Sequence, residues 1–322
     1  MLVLSRRRRI GYALAFVLPL AALVGSTRGA AASARSTAGD SVSSTVHFAT
    51  TTDVIRFVDD SLRGRSGKLF VRFLAADVRT KALPAFRQLF GDTALARPGV
   101  YPVTDSNLSL PFAFIALHAF GEKQSGQLGG YRIGFWPGER GAVAAAYGNP
   151  AGFIEVTREN ADLHVSEHFR LRDFLTHDQA NVWPKYLVLR EDLVDKLELV
   201  VQELERSGVP VRHMSVMSGF RTPQYNATGG ITSGRAQLSR HMYGDASDVF
   251  VDNDYDGRMD DLNHDGRVDY RDAQVVVAAS ERVERAHPEL LGGGGIYKAT
   301  REHGPFAHID VRGNRARWGL TE

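Results

Sequence analysis

Two histidines and an aspartate have the types and spacing that could hold a catalytic metal ion. His241 and Asp248 lie close together in residues 239–248, whereas His308 lies far downstream in residues 307–310. Two imidazoles and one carboxylate make a three-ligand zinc set that leaves one coordination position for water. The first structural question is therefore whether these three side chains meet.

The residues around His241 and Asp248 favour a folded site over a chance pair. Gly244 allows a tight turn between them, and Ala246 is small where two backbones can approach closely. Asp248 opens the apolar run 249–251, and a carboxylate in such a strand is costly unless it is paired or bound to a metal. Other histidines lack such a frame and are expected to be structural or surface residues: His118, His164, His168, His177 and His213.

Hydrophobic periodicity predicts the elements that would position these residues. Apolar residues at three- and four-residue spacing predict a helix over residues 189–207, with Gly208 as its C-cap and Pro210 preventing its continuation. A second helix is predicted over residues 273–287. The predicted strands are residues 211–217, 248–251 and 306–311. The four glycines of residues 292–295 are expected to bend the chain before the last strand.

The chain before residue 150 has a different pattern, which predicts a small β-rich module over residues 66–145. Its strand candidates, separated by glycine and proline turns, are residues 68–74, 112–118 and 131–136. We expect no catalytic group in this module. Its aromatic residues, including Phe135 and Trp136, are expected to belong to a core.

The first 34 residues have the features of an export signal. Four arginines, residues 6–9, precede the apolar run 10–24, and residues 32–34 form a small-x-small cleavage site. The run is shorter than the roughly 18 residues expected of a membrane span. We predict a periplasmic, extracellular or cell-envelope location, with an uncleaved anchor in the cytoplasmic membrane as the alternative. Residues 35–65, rich in Ser, Thr, Ala and Gly, predict a flexible linker.

Composition excludes several kinds of chemistry. The chain has no cysteine, so disulfides, thiolate metal sites and cysteine nucleophiles are excluded. Its net charge of +2 reflects five arginines in the export segment, and the remaining residues are slightly acidic. No nucleic-acid partner is therefore expected, and the sequence predicts no particular oligomeric state.

The frame Ser239-x-His241-x-x-Gly244-x-Ala246-x-Asp248 resembles the signature of peptidase family M15. These zinc enzymes are D-Ala-D-Ala carboxypeptidases and peptidoglycan endopeptidases, and they share their fold with the hedgehog signalling domain. The resemblance covers about residues 150–322, and its other blocks are residues 218–223 with Asn226, and His308-Ile309-Asp310 with Gly313 and Trp318. Several blocks in the right order are more specific than a lone motif. The His-x-Asp ending is most similar to the murein endopeptidase branch.

The resemblance implies both a fold and a chemistry. The fold is an α+β domain over residues 150–322, with an antiparallel sheet flanked by helices, and His241, Asp248 and His308 would bind zinc. Arg221 would face the substrate, stabilising an oxyanion or holding a carboxylate, with a structural salt bridge as the alternative. Zinc would polarise the scissile amide and lower the pKa of its water. The expected substrates are peptidoglycan stem peptides or cross-links, with endopeptidase activity favoured over D,D-carboxypeptidase activity.

The general base is where the sequence departs from the family pattern. Branches of the family place an acidic residue three positions, or a histidine two positions, before the last zinc histidine, but this chain has Pro305 and Phe306 there. The remaining candidates are Glu302, His303 and Asp310. Asp310 would share a strand face with His308, so we favour it as a carboxylate that orients a ligand. We favour His303 as the proton carrier.

Two overlapping acidic runs after Asp248 predict calcium binding. The second, residues 261–272, has oxygen side chains at positions 1, 3, 5, 9 and 12 of an EF-hand-like loop and glycine at position 6, with Asp in place of the closing Glu as in dockerin loops. The first begins at Asp252 but would close on Asn263, which the second also uses. One calcium ion is expected; two in a fused site, or a metal-free solvated loop, are the alternatives. The candidate positions are Asp252, Asp254, Asp256, Asp260, Asp261, Asn263, Asp265, Arg267, Asp269 and Asp272.

Three functions follow from these observations. The favoured one is a secreted or envelope-tethered zinc peptidase acting on peptidoglycan peptides, because the export signal, the three ligands and Arg221 agree. The second is a non-catalytic wall-binding or calcium-dependent adhesion module on the same fold, which the missing base supports. The third is a phage-type or toxin-like lysin, and the export signal argues against a lysin that is released through a holin.

Overall fold

The structure, a computed structural model, describes residues 62–76, 97–103, 111–229 and 235–319. The predicted export signal and nearly all of the predicted linker lie outside the described residues. In these four ranges, no helix combines the length and the apolar character needed to cross a membrane.

The described residues form short strands and a few helices. In chain order, the strands are β1 (Val71–Leu74), β2 (Gly99–Val103), β3 (Phe112–Ala116), β4 (His118–Ala119), β5 (Gln127–Leu128), β6 (Tyr131–Arg132), β7 (Gly152–Val156), β8 (Lys185–Leu187), β9 (Met214–Ser218), β10 (Ala246–Val251), β11 (Gly293–Tyr297), β12 (Phe306–Asp310) and β13 (Ala316–Trp318). The α-helices are α1 (Glu191–Arg206), α2 (Pro223–Thr228) and α3 (Tyr270–Ala286).

These strands make small sheets, and no barrel closes within the described ranges. The largest sheet has the order β13-β11-β12-β10-β9, and the smaller ones have the orders β1-β3-β2, β4-β7-β8 and β5-β6. The architecture is thus mixed α and β, which is compatible with the predicted α+β class. The pairing of β10 with both of its neighbours is antiparallel.

The five-stranded sheet has one face in the hydrophobic core and one face available for chemistry. Val249 and Val251 of β10 and Ala307 and Ile309 of β12 are buried in the core. Helix α3 packs on β11 and β12 and also against α1. Because side chains alternate along a strand, Asp248 and its register partner His308 lie on the opposite face.

The predicted helices are observed close to their expected bounds. Gly208 follows α1 with a φ of +85°, which is the left-handed conformation of a glycine C-cap. Helix α3 begins earlier than predicted because the Asp269 side chain accepts a hydrogen bond from the backbone N–H of Arg271 and so caps the helix. The predicted strands 211–217, 248–251 and 306–311 correspond to β9, β10 and β12.

The expected glycine bend is wrong, because residues 293–295 form the first part of strand β11. Glycine is needed there for close approach. A Cβ atom on Gly292 would lie 1.8 Å from the carbonyl oxygen of Asp310, and one on Gly295 would lie 2.4 Å from the Trp318 Nε1. The glycine run therefore lets neighbouring residues pack directly on the backbone.

The N-terminal part is β-rich as predicted, but its strands are shorter. The candidate at residues 131–136 contributes only β6. Trp136 is fully buried, whereas Phe135 is 45% exposed, so its placement in the core is wrong; Lys123 and Arg140 cover part of its ring instead. The module boundary near residue 145 stays a prediction, although β4 pairs with β7 across it.

We expect Gly292→Ala to lower the free energy of unfolding by about 1–3 kcal/mol, because the added methyl group would overlap the backbone of β12. Urea unfolding measures the change. Gly141→Ala is the matched control, since a Cβ atom there meets nothing within 4 Å. Equal stability of the two variants would show that Gly292 is not a packing requirement.

Candidate metal site

Three separate elements bring the predicted ligands to one point. His241 lies on the short 3-10 helix Arg240–Tyr243, Asp248 on β10 and His308 on β12. The His241 Nε2 lies 3.3 Å from the His308 Nδ1 and 3.4 Å from the Asp248 Oδ1. The His308 Nδ1 lies 2.9 Å from the same Asp248 oxygen. Ligand atoms bound tetrahedrally at about 2.0–2.2 Å are roughly 3.3 Å apart, so the three side chains could hold a metal ion.

The turn that carries His241 depends on two features of its frame. Gly244 has a φ of +64°, and a Cβ atom there would lie 2.3 Å from the Val188 carbonyl oxygen. Arg240 forms a buried ion pair with Asp245, and the two residues flank the turn. These contacts fix the path of the chain between His241 and Asp248. The glycine was expected from the sequence, whereas the ion pair was not.

Each ligand is held at its far atom by a hydrogen bond. The His241 Nδ1 lies 2.7 Å from the carbonyl oxygen of Gly219, so it carries the proton and leaves Nε2 free for a metal. The His308 Nε2 lies 3.1 Å from the Asp310 Oδ2, which leaves Nδ1 free. Arg221 donates to the Asp248 Oδ2 at 2.6 Å, which leaves Oδ1. These partners set the orientation and the tautomer of the ligands.

The protonation states of two of the three candidate ligands, His241 and Asp248, suit a metal. All three ligands are at most 5% exposed. Burial lowers the pKa of His241, which favours the neutral imidazole. Burial alone would raise the pKa of Asp248, but the charges and hydrogen bonds of His241 and His308 hold it well below its usual value. Burial would lower the pKa of His308, but its hydrogen bonds to Asp248 and Asp310 raise it, so a bound metal ion must displace a proton from this imidazole. A neutral histidine and an ionised carboxylate are the forms that bind metal ions.

Asp310 is a fully buried carboxylate behind His308. It accepts hydrogen bonds from the Gly293 N–H at 2.6 Å and from the Arg312 Nε at 2.8 Å. Burial would raise the pKa of Asp310, but the hydrogen bonds from His308 and Arg312 lower it strongly. Asp310 is thus an ionised acceptor for the His308 Nε2–H, which is the geometry of a carboxylate that orients a ligand.

Arg221 makes the ion pair that sequence reasoning gave as its alternative role. Its Nη2 bonds to Asp248, and its Nε donates to the Ser218 Oγ at 2.8 Å. Its Nη1 makes no hydrogen bond to any residue in the described part of the chain. Arg221 therefore neutralises a candidate metal ligand and keeps one nitrogen for another acceptor.

The sequence-predicted proton carrier is not hydrogen-bonded to any of the three candidate ligands in the described part of the chain. His303 and Glu302 lie in the connection between β11 and β12, where the His303 Nδ1 is 2.8 Å from the Gly304 carbonyl oxygen. Glu302 accepts a hydrogen bond from the Thr300 hydroxyl at 2.9 Å. Within the described ranges, no hydrogen bond joins either side chain to His241, Asp248 or His308.

Sequence reasoning missed a tyrosine beside the site. Trp318 lies over Gly295, and its ring centre is 5.0 Å from that of His308. Its Nε1 donates to the Tyr297 Oη at 2.9 Å, and the Tyr297 ring stacks on Phe306. Burial, followed by the negative charge of Asp248, raises the pKa of Tyr297. The glycine run was the available signal, because it makes room for Trp318.

The two acidic runs form loops of similar backbone shape. Gly257 and Gly266 have φ values of +80° and +79°, and each follows an aspartate that accepts from the backbone two residues on. In the first loop, Asp252, Asp254 and Asp260 bring oxygens within 4.8 Å of one another.

In the second loop, Arg271 pairs with Asp269 and Asp265, while Asp272 accepts from the backbone N–H groups of Leu262 and Asn263. The carboxylates thus gather in the first loop, although the sequence pattern is more complete in the second. Calcium binding stays a prediction.

Comparison with known proteins adds no relative to these observations. No protein-family model, no curated protein and no solved structure matches this chain. The resemblance to family M15 therefore rests on the sequence motifs. The structure itself contributes a buried group, His241, Asp248 and His308, that could hold a metal ion.

We expect Asp310→Asn to weaken zinc binding by roughly 10–100-fold, because His308 would lose the carboxylate that orients it. Competition against a chromogenic chelator measures the affinity. Asp195→Asn is the matched control: Asp195 is also a buried carboxylate, but it bonds the backbone N–H groups of Arg65 and Ser66. An affinity loss of the same size in both variants would mean that general destabilisation, not ligand orientation, is responsible.

Proposed function

We propose that this protein is an exported zinc peptidase that hydrolyses peptide bonds in peptidoglycan stem peptides or cross-links, with endopeptidase activity favoured. The observation that carries the proposal is the convergence of His241, Asp248 and His308 on one point. The motif resemblance to family M15 supplies the reaction class, and the export signal supplies the location.

Zinc fits the residues present. Two imidazole nitrogens and one carboxylate oxygen are typical zinc ligands, and three protein ligands are the number found in catalytic sites. When bound, zinc would polarise the scissile carbonyl and lower the pKa of water toward neutrality. The protein's own residues must then place the peptide, stabilise developing charge and move a proton.

Tyr297 is the group we propose for charge stabilisation. Its oxygen accepts the hydrogen bond from Trp318, so its own proton is free to be donated elsewhere. The phenol is protonated near neutral pH, because the ordinary pKa of tyrosine is about 10 and burial raises it further here. A donor beside the site, aimed at an oxygen that gains negative charge, lowers the barrier of acyl transfer. The free Nη1 of Arg221 offers a second donor, which keeps the role expected of it from the sequence.

Proton transfer is assigned to His303 under this proposal. Its Nδ1 is engaged with the Gly304 carbonyl oxygen, so Nε2 is the nitrogen that would exchange the proton. The loop that carries it leads directly into β12 and His308.

The second candidate function is a non-catalytic, metal-dependent wall-binding module. One observation favours it: in the described part of the chain, neither His303 nor Glu302 is hydrogen-bonded to a ligand. The two candidates share the metal site and differ only in turnover. Hydrolysis itself is therefore the measurement that separates them.

Purified residues 35–322, loaded with zinc, should cleave cross-linked muropeptides, and His241→Ala should abolish cleavage.

We expect Tyr297→Phe to lower kcat by about 100-fold or more, because it removes one donor to the developing charge. The zinc content should be unchanged. Tyr255→Phe is the matched control, since this tyrosine is exposed and stacks on His213. Product analysis by chromatography and mass spectrometry follows the reaction. A zinc-loaded protein that leaves every muropeptide intact would support the binding module instead.

A further inference from the structure

A groove of about 260 Å³ is lined by residues of the large sheet and of two neighbouring loops. Strand β9 contributes residues 215–217, β10 contributes Phe250, and the loop before β12 contributes residues 302–305. The first acidic loop closes the groove with residues 257–259, and His177 completes the wall. This volume is below the ~300–1,000 Å³ typical of sites for drug-sized ligands, so it suits a short segment of a chain.

Three walls of the groove are formed by residues that neighbour the candidate metal site along the chain. Met217 precedes Ser218, the residue that accepts a hydrogen bond from Arg221. Phe250 lies two residues after Asp248 and therefore on the same face of β10. Pro305 leads into β12, which carries His308. A peptide held at the metal site would thus extend along the groove.

One cation of the first acidic loop is available in the lining of this groove. Arg258 is exposed and lines the groove, and its backbone N–H is held by the Asp256 Oδ1 at 2.8 Å. In the ranges that the structure describes, Arg258 has no ion-pair partner.

The nearby carboxylates bond to the loop's own backbone. Asp252 accepts from the N–H groups of Asp256 and Gly257, and Asp254 also accepts from Asp256. Asp260 accepts from the Asn253 N–H at 2.9 Å. These hydrogen bonds shape the loop and leave the Arg258 guanidinium available to a ligand, in a groove that His177, Glu302 and His303 also line.

We infer that the groove is a substrate subsite, and that Arg258 recognises a free carboxylate of the bound peptide. The identity of the substrate as a stem peptide rests on the proposed function. The planar guanidinium fork matches a carboxylate and can form two parallel hydrogen bonds with it. The apolar walls, which include Val216, Met217 and Phe250, would pack on the rest of the segment. The acidic insertion is then a specificity element of the site.

The chain offers a matched control for Arg258. Arg267 has the corresponding place in the second loop, where its backbone N–H is held by the Asp265 Oδ1 at 3.0 Å. It is exposed as well, but it does not line the groove. A substitution of Arg267 therefore reproduces the change in charge and loop composition without touching the subsite.

The test uses zinc-loaded residues 35–322 and a stem-peptide analogue with a non-hydrolysable bond at the scissile position. The analogue is made in two forms, one with free carboxylates and one with all of them amidated, and binding is measured by calorimetry. We expect the wild type to bind the free form about tenfold more tightly, as a charge-assisted hydrogen bond at a partly exposed site provides. Arg258→Ala should remove this preference, Arg258→Lys should keep part of it, and Arg267→Ala should keep all of it.

Two results would overturn the inference: equal binding of the two forms by the wild type, or an Arg258→Ala variant that weakens both forms alike. The cleavable peptide, assayed in parallel, tests the proposed function separately. Absence of cleavage with the carboxylate preference intact would contradict peptidase activity alone. Cleavage that is unaffected by Arg258→Ala, with no preference in binding, would contradict the subsite alone.

Discussion

The register between β10 and β12 is the constraint on which the site depends. It sets Asp248 opposite His308, so that the two candidate ligands face the same side of the sheet. The residues next to them on each strand face the core. A slip of one residue by either strand would turn that strand's ligand to the other face and separate the pair. The buried residues Val249, Ala307 and Ile309 oppose such a slip, because it would expose them. Core packing and metal-site geometry are thus fixed by the same strand pairing.

The site also concentrates buried charge, and its arginines balance that charge. Asp248 and Asp310 are both removed from water, and an unpaired buried carboxylate is costly. Arg221 pairs with the first and Arg312 with the second. Removing one partner of a buried ion pair typically costs about 3–5 kcal/mol. These two arginines therefore stabilise the fold as well as the site. This explains why Arg221 forms an ion pair with Asp248.

The rest of the site depends on the close approach of side chains to the glycine backbone of β11. The glycines before and within β11 allow Asp310 to reach the Gly293 N–H and allow Trp318 to lie over Gly295. Asp310 then orients His308, and Trp318 orients Tyr297. Glycine at these positions allows neighbouring strands and side chains to approach the backbone closely. Its role here is not flexibility. The glycine run thus connects two positioning residues with the two groups that they hold.

The sequence predicted the parts of the site that depend on side-chain type and spacing. The group His241, Asp248 and His308 and the helix α1 follow from such patterns. The carbonyl oxygen of Gly219 that holds His241 could not be predicted, because a backbone acceptor has no sequence signature. The strand at residues 293–297 was missed because glycine indicates a bend and a close approach equally well. Tyr297 was missed for the same reason, since its place depends on that strand.

X-ray absorption spectroscopy at the zinc edge tests the central claim most directly. For zinc-loaded residues 35–322, a site formed by His241, Asp248 and His308 predicts four light-atom ligands at about 2.0–2.2 Å, with scattering from two imidazoles. His308→Ala should remove one imidazole from the spectrum. A wild-type spectrum with fewer than two imidazoles, or one that is unchanged in His241→Ala and His308→Ala, would contradict the account.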